Sequence, residues 1–341
     1  MTNSLYKSIR RACVLSVFLF AGAFSASIQA VTHPPGFWSL QIENDLWGSN
    51  DDRWYTSGWQ LSYVSPKPPP EYLENISDHI PFYSKGKTVY HGFNLGQKVF
   101  TPENIEESSL IIDDRPYAGW LFFETFIGHR YDDLPDRDKM NGLILTVGIV
   151  GPDSHADDIQ NFAHDLTDSD DAEGWDNQLE NELGLNATFW QKSRRIYNLD
   201  EPRQTELSLH GGLTLGSIYS YASVGVMTRW GARLKDDIGP PSISPGFPGL
   251  PAFEPNRQSN WYLYAGLEAR RVARNVFLDG NTNVDSHSVT KEDWVADLQF
   301  GIAVRSADAR ISFSITSRSK EFKGQPEGSH FGLINFTLFA E

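Results

Sequence analysis

Cysteine is all but missing from this sequence. The 341 residues include one, Cys13, and it lies in the N-terminal apolar segment. A mature chain without that segment has no thiol, which excludes a disulfide scaffold, a cysteine nucleophile and a zinc-thiolate centre. Basic charge is also scarce: 29 Lys and Arg stand against 44 Asp and Glu, for a formal charge of −15. That balance argues against nucleic acid as a partner. It suits a protein that collects divalent cations, although an acidic excess by itself serves solubility. After the first 30 residues no apolar run is long enough for a membrane helix, and no internal repeat or domain linker is visible. The missing apolar run does not exclude a membrane, because the strands of a membrane β-barrel are only half apolar.

Residues 1–30 read as a secretory signal. Lys7, Arg10 and Arg11 form the basic region, Ala12 to Phe24 the apolar core, and Ala30 marks the cleavage point. Ile28, three residues from the cut, is bulkier than usual, so the cut can shift by a few residues. The apolar core is too short for a spanning anchor. Arg10, three residues before Cys13, is wrong for a lipoprotein signal. Losing Lys7, Arg10 and Arg11 takes the formal charge from −15 to −18. Residues 31–341 then form one domain.

What the mature chain has in abundance is period-two alternation. Trp38, Leu40 and Ile42 interleave with Ser39, Gln41 and Glu43; Trp261, Leu263 and Leu267 alternate with Tyr262, Tyr264 and Glu268. Twelve strands are expected, at 36–44, 56–65, 88–98, 118–129, 141–150, 183–192, 205–215, 221–233, 261–273, 293–305, 309–318 and 330–340. A soluble sandwich would also alternate. Alternations of about ten residues favour a membrane barrel, as do tryptophans at strand ends (Trp38, Trp59, Trp120, Trp190, Trp230, Trp261, Trp294), placed for an aromatic girdle. The fold class is therefore all-β: a twelve-stranded antiparallel transmembrane β-barrel with a short active-site helix in one extracellular loop. An even count puts both termini in the periplasm, and long and short connections should alternate. The links at Gly216 to Ser220 and Ser306 to Asp308 are tight. The Pro- and Gly-rich loop after strand eight is long yet periplasmic by parity, so it is an exception or a strand is miscounted.

One helix interrupts the strands, within Val150–Gln178. Ile159, Phe162, Ala163 and Leu166 recur at helical spacing and form an apolar face, expected to hold the helix on the barrel wall or in lipid. Gln160 and His164 are four apart on a neighbouring face. Asp153 or Ser154 can cap the start. An acidic run with Asp168, Asp170, Asp171 and Glu173 follows.

Four clusters carry the chemistry, and each has an ordinary reading. Glu43-Asn44-Asp45 ends a strand, where Asx residues form turns. Asp52 to Gly58 opens the next strand, where Tyr and Thr are common. Asp113 to Gly119 reads as a turn with a surface ion pair. A lone helix histidine is usually structural. Together the four say more. Asn44, Asp45 and Thr56 lie on neighbouring strands at one rim, and the helix starts from that rim by parity. Asp45, the Thr56 hydroxyl and a carboxylate after the helix are hard oxygen donors suited to Ca²⁺. His164 can act as general base toward a water, and a cation or backbone N–H groups can hold a developing oxyanion. That is equipment for ester hydrolysis without a serine nucleophile. Asn44 shares the face of Leu40 and Ile42, so it should point outward, where a lipid substrate would arrive.

With these stretches the sequence resembles the outer-membrane lipid A 3'-O-deacylase family. The matching motifs are END at 43–45, DRWYTSG at 52–58, DRPYAG at 114–119, GPDS and QNFAH within 151–164, and GWDNQLENELG at 174–184. They cover roughly the first half of the mature chain. The resemblance implies a Ca²⁺-dependent hydrolase site at the extracellular end, between the barrel wall and a loop helix, acting on lipid A or lipopolysaccharide. His164 falls on the family's water-activating histidine and Asn44 on its oxyanion-site asparagine. Asp45 and Thr56 fall on positions around the cation, and Gln160 on the glutamine one turn before the histidine. Asp170 falls on the acidic position six after the histidine, where some members have the longer glutamate. Arg115 is the candidate for a lipid phosphate. The protein is expected to be a monomer among outer-membrane lipids, inserted by the barrel-assembly machinery. The closing aromatic of such barrels is displaced here, since the chain ends Phe339-Ala340-Glu341. A phospholipase on the same scaffold and a non-catalytic pore or adhesin are the alternatives.

Overall fold

The computed structural model describes residues 36–340 apart from 48–53, 66, 81–87, 168–171, 241, 244 and 254–257. The signal segment lies outside the described residues. Twelve strands form: β1 Gly36–Asn44, β2 Trp54–Ser65, β3 Thr88–Thr101, β4 Ala118–Leu134, β5 Arg137–Val150, β6 Glu182–Tyr197, β7 Gln204–Gly216, β8 Tyr219–Gly231, β9 Asn260–Asn275, β10 Trp294–Arg305, β11 Ala309–Arg318 and β12 Ser329–Ala340. Each pairs antiparallel with its sequence neighbours, and β1 pairs with β12 to close the barrel. All twelve expected strands are there; β4 and β5 run on to a tight hairpin at Pro135 and Asp136. Helices are few: α1 Glu71–Asp78, α2 Ala156–Thr167 and α3 Val276–Asp279. No described helix is long and apolar enough to cross a membrane.

Alternation builds the wall. On β9, Leu263 and Leu267 are exposed while Tyr262, Tyr264, Glu268 and Arg270 are buried. The same phase runs through β7, where Leu207, Leu209, Leu213 and Leu215 are all exposed. An apolar outside around a polar inside inverts a soluble sandwich and excludes that reading. The tryptophan girdle needs correcting. Trp230 and Trp294 are exposed, but Trp120 and Trp190 pack inside the barrel, with Phe122 and Met140 respectively. Their phase along the strand, rather than their place at its end, decides this.

The lumen is filled. Around the rim where β1 begins (the near rim), Asp138 accepts from Arg130 at 3.0 Å and Arg194 at 2.5 Å. Glu206 pairs with Arg194 and Arg229. Toward the opposite, far rim, a second chain of pairs runs from His210 through Glu268, Arg270 and Asp297 to Arg318, each link 2.7–3.0 Å. Breaking one such buried pair costs about 3–5 kcal/mol, because the partner left behind stays buried and charged.

The long connection after β8 resolves the parity problem. The strand count is right, and the loop is long because it folds inward as a plug. Asp237 is held by Arg310 at 2.7 Å, and the Asp237 carbonyl accepts from Arg194 at 2.6 Å. Ile243 climbs to the far rim, where its N–H donates to Glu43 at 3.3 Å. Phe247 meets His210, and Leu250, Ala252 and Phe253 return to pack on Phe37 and Val64 near the start. A cavity of about 60 Å³ remains between the plug and Gln60, Asn94 and Glu124. Long and short connections therefore do not alternate cleanly: residues 217–218 make a tight link at the far rim, and two long loops leave the near rim.

Candidate active site

The site is built on the outside of the wall at the far rim. Along β1, Ser39, Gln41 and Glu43 are buried inward, while Leu40, Ile42 and Asn44 are half-exposed on the other face. Asn44 therefore points outward, as its parity with Leu40 and Ile42 indicates. Asp45 follows at once in a short 3₁₀ turn, Asp45–Trp47, and is buried.

Thr56 arrives by a different device. Simple alternation from Gln60 and Ser62 would carry it inside. A β-bulge between Tyr55 and Ser57 shifts the register, so that Tyr55 opposes Phe100 and Ser57 opposes Val99. Tyr55 then turns inward, and Thr56 is freed from the inner row. Its hydroxyl meets the Thr101 hydroxyl at 2.7 Å, and its carbonyl accepts from Asn44 Nδ2 at 3.2 Å. Trp54, just before the bulge, sits at φ 67°, a costly left-handed conformation for a bulky side chain. The bulge thus brings Asn44 and Thr56 together.

Helix α2 packs on β3 and β4 beside this corner. Gly151, at φ 97°, lies where an added Cβ would strike the backbone of Glu180 and Asn181, so the first residue of GPDS must be glycine. The 3₁₀ turn Pro152–Ser154 follows, and the Ser154 carbonyl accepts from Gln97 Nε2 at 2.6 Å. Gln97 in turn accepts from Trp59 Nε1 at 3.3 Å. Gly119 on β4 lets the helix start touch the wall: a Cβ there would fall 2.0 Å from Ser154 Oγ and 2.3 Å from Ala156 Cβ. The expected Ser154 cap does not form, because its buried hydroxyl faces Gly119 and has no hydrogen-bond partner among the described residues. The face against the wall is Ala156 and Gln160, both buried. Ile159 and Phe162, expected to hold the helix to the wall or in lipid, point away from the wall, 39% and 63% exposed.

The remaining motifs lock the helix. Trp175 Nε1 donates to Gln160 Oε1 at 3.0 Å, and its ring lies 5.0 Å from that of Tyr117. The Tyr117 carbonyl accepts from Leu179 N at 2.9 Å. DRPYAG and GWDNQ are thus two halves of one clamp on α2. Burial pushes the Tyr117 phenol up to about 12, so it stays neutral. Burial also raises Asp114, with partial relief from the N–H groups of Glu103 and Arg115, which it accepts at 2.7 Å each.

Arg115 corrects its expected role. Its side chain is 0% exposed, stacked 4.5 Å over Phe100 and paired with Glu321 at 3.5 Å on the inner side of the wall. It does not reach a lipid phosphate outside. Position 164 follows Gln160 by one helical turn, but the His164 side chain and Asp170 lie outside the described residues. Among the described residues no three His, Asp or Glu side chains converge on a common point.

A family model described as outer membrane protein LpxR matches residues 13–339. This chain belongs to the LpxR family. It is accordingly a β-barrel protein of the bacterial outer membrane. Among solved structures it is similar to LpxR from Salmonella typhimurium, with a TM-score of 0.70 and 17% identity over 89% of this chain and 99% of that one. The β domain of the Bordetella autotransporter BrkA follows at a TM-score of 0.44 and 10% identity, over 89% and 98% of the two chains. The KdgM porin gives 0.39 and 6%, over 89% and 98%. No curated protein sequence matches.

Sequence reasoning missed the Trp175–Gln160 bond, the Gln97 and Gly119 seat for the helix, and the bulge. The first two were within reach, because GWDNQ and DRPYAG were already conspicuous as motifs without an assigned partner.

Proposed function

We propose that this protein hydrolyses the ester linking the 3'-acyloxyacyl group to lipid A, from within the outer leaflet. The observation that carries the reading is where the polar groups emerge. Asn44, Thr56 and Thr101 meet on the outer face of the wall, Gln160 is buried on the helix that packs against β3 and β4, and the lumen behind is plugged. A lipid reaches that corner without leaving the membrane. Membership of the LpxR family supports a lipid A deacylase; the ester position and the mechanism belong to this reading.

In this reading His164 takes the proton from a water that attacks the ester carbonyl. Asn44, oriented by its bond to the Thr56 carbonyl, offers its amide to the developing oxyanion. Gln160, fixed by Trp175, sets the helix turn that carries the histidine. The donor chemistry fits calcium: the buried Asp45 carboxylate and the Thr56 hydroxyl are hard oxygens at one rim, and Asp170 would complete the set. When bound, Ca²⁺ would supply positive charge to the ester oxygen. The plug argues against a pore.

The test is mass spectrometry of lipid A incubated with the folded protein, with and without chelator. Loss of the ester-linked 3'-acyloxyacyl mass, abolished by chelator and by His164→Ala, is expected. Intact lipid A, or loss that His164→Ala leaves unchanged, overturns the reading. Fatty acid released from phospholipid instead would assign a phospholipase.

A further inference from the structure

We propose that Glu43, Tyr55 and Lys98, on the inner face of the wall, are positioning residues for the outer site, and that the plug tip at Ile243 is coupled to that site through Glu43. The activity readout below rests on the deacylase reading; the structural readout does not.

Strand geometry puts these residues directly behind the site. In a strand, neighbours point to opposite faces. Glu43 precedes Asn44, Tyr55 precedes Thr56, and Lys98 precedes Val99, the residue opposite the bulge. The Tyr55 hydroxyl donates to Glu43 Oε2. Glu43 Oε1 accepts the Ile243 N–H at 3.3 Å, so one carboxylate joins β1, β2 and the plug. Lys98 Nζ lies 5.1 Å from the Tyr55 ring centroid, and Phe100 and Phe331 flank that ring at 5.5 and 5.0 Å. Every one of these contacts holds Tyr55 inside.

That matters because the bulge exists only while Tyr55 is inside. A one-residue shift in register exchanges the two faces of a strand. With the Tyr55 ring released, the next residue, Thr56, follows the alternation of Gln60 and Ser62 back toward the lumen. Thr56 then gives up the Asn44 contact at 3.2 Å. Gly58 has its role here too. It lies on the inner row beside the tyrosine, and a Cβ at that position would fall 2.5 Å from the Tyr55 hydroxyl. The glycine of DRWYTSG is the space the phenol occupies.

The experiment compares Tyr55→Phe, Gly58→Ala, Glu43→Gln and Glu43→Leu in the full-length protein folded into detergent micelles, with folding verified by heat-modifiable gel mobility. Hydrogen exchange of the peptide spanning 54–58 is read first. Tyr55→Phe and Gly58→Ala are expected to accelerate it while strands β5 to β9 exchange as in the wild type. On lipid A, Tyr55→Phe is expected to lower kcat about tenfold at unchanged KM, the mark of a misplaced group. Glu43→Gln keeps an acceptor for Tyr55 and should retain more activity than Glu43→Leu. Wild-type exchange at 54–58 in both Tyr55→Phe and Gly58→Ala overturns the proposal, whatever the activities. A wild type inactive on lipid A sinks the deacylase reading alone, because the exchange result still decides this one.

Discussion

The barrel carries polar groups in two places and builds them in opposite ways. Inside, charge is matched with charge: Arg194 and Arg130 on Asp138, Arg229 on Glu206, Arg270 and Arg318 on Asp297. Outside, at the far rim, the described groups are mostly neutral amides and hydroxyls (Asn44, Thr56, Gln97, Thr101, Gln160), with Asp45 as the carboxylate among them. Matched buried pairs resist change, since each partner penalises loss of the other. Neutral donors and acceptors held in place can instead meet charge that develops in a substrate. The same alternation makes both regions, so adjacent residues of one strand serve opposite purposes, as Glu43 and Asn44 do.

This contrast can be broken from either side. The largest effect is expected at His164. His164→Ala should cost about 10²–10⁴-fold in kcat, with urea unfolding in lipid vesicles unmoved; a parallel loss of stability would put it with the lumen residues. Asp138→Ala should do the reverse. It leaves Arg130 and Arg194 buried without their shared carboxylate, and should lower unfolding free energy by about 3–5 kcal/mol while the folded fraction keeps wild-type kcat. Gly119→Ala sits between. Its Cβ enters the helix seat, so kcat should fall roughly tenfold with barrel stability intact; wild-type turnover would show that α2 need not touch β4.

The smallest effect is that of pH on the loop between β3 and β4. Burial raises Asp114 above its ordinary 3.8, so the folded state holds that proton more tightly than the unfolded one. Stability should therefore decline as pH rises from about 3.8 through the raised value, and level off above it. Melting curves of wild type and Asp114→Asn across that window should converge at the acid end; a gap of constant size would assign Asp114 no role in it.

How much of this was legible in the sequence depends on the kind of signal. Twelve strands were readable because alternation leaves a mark on every second residue, as on β9. The outward turn of Asn44 followed from the same phase. The bulge at Thr56 was not readable, because one extra residue changes no composition and is seen only against its partner strand. Trp120 and Trp190 stand near strand ends, but phase outweighs end position: the exposed Phe123 and Leu185 mark the outer rows of β4 and β6, and both tryptophans fall on the opposite row. The plug was half visible. Parity put the loop on the periplasmic side, and Ile243, Phe247, Leu250 and Phe253 are more apolar than a solvated loop needs. Arg115 could not be placed, since an arginine beside a turn reads alike whether it faces a lipid phosphate or Glu321.

On the proposed reading, a site on the outer wall beside a helix whose exposed face carries Ile159 and Phe162 opens sideways into the leaflet. A substrate that enters there is searched for in two dimensions. What governs encounter is then the mole fraction of that lipid in its leaflet, not its amount per litre. Turnover measured in mixed micelles should fall as inert detergent is added at fixed lipid, even with every lipid still in solution.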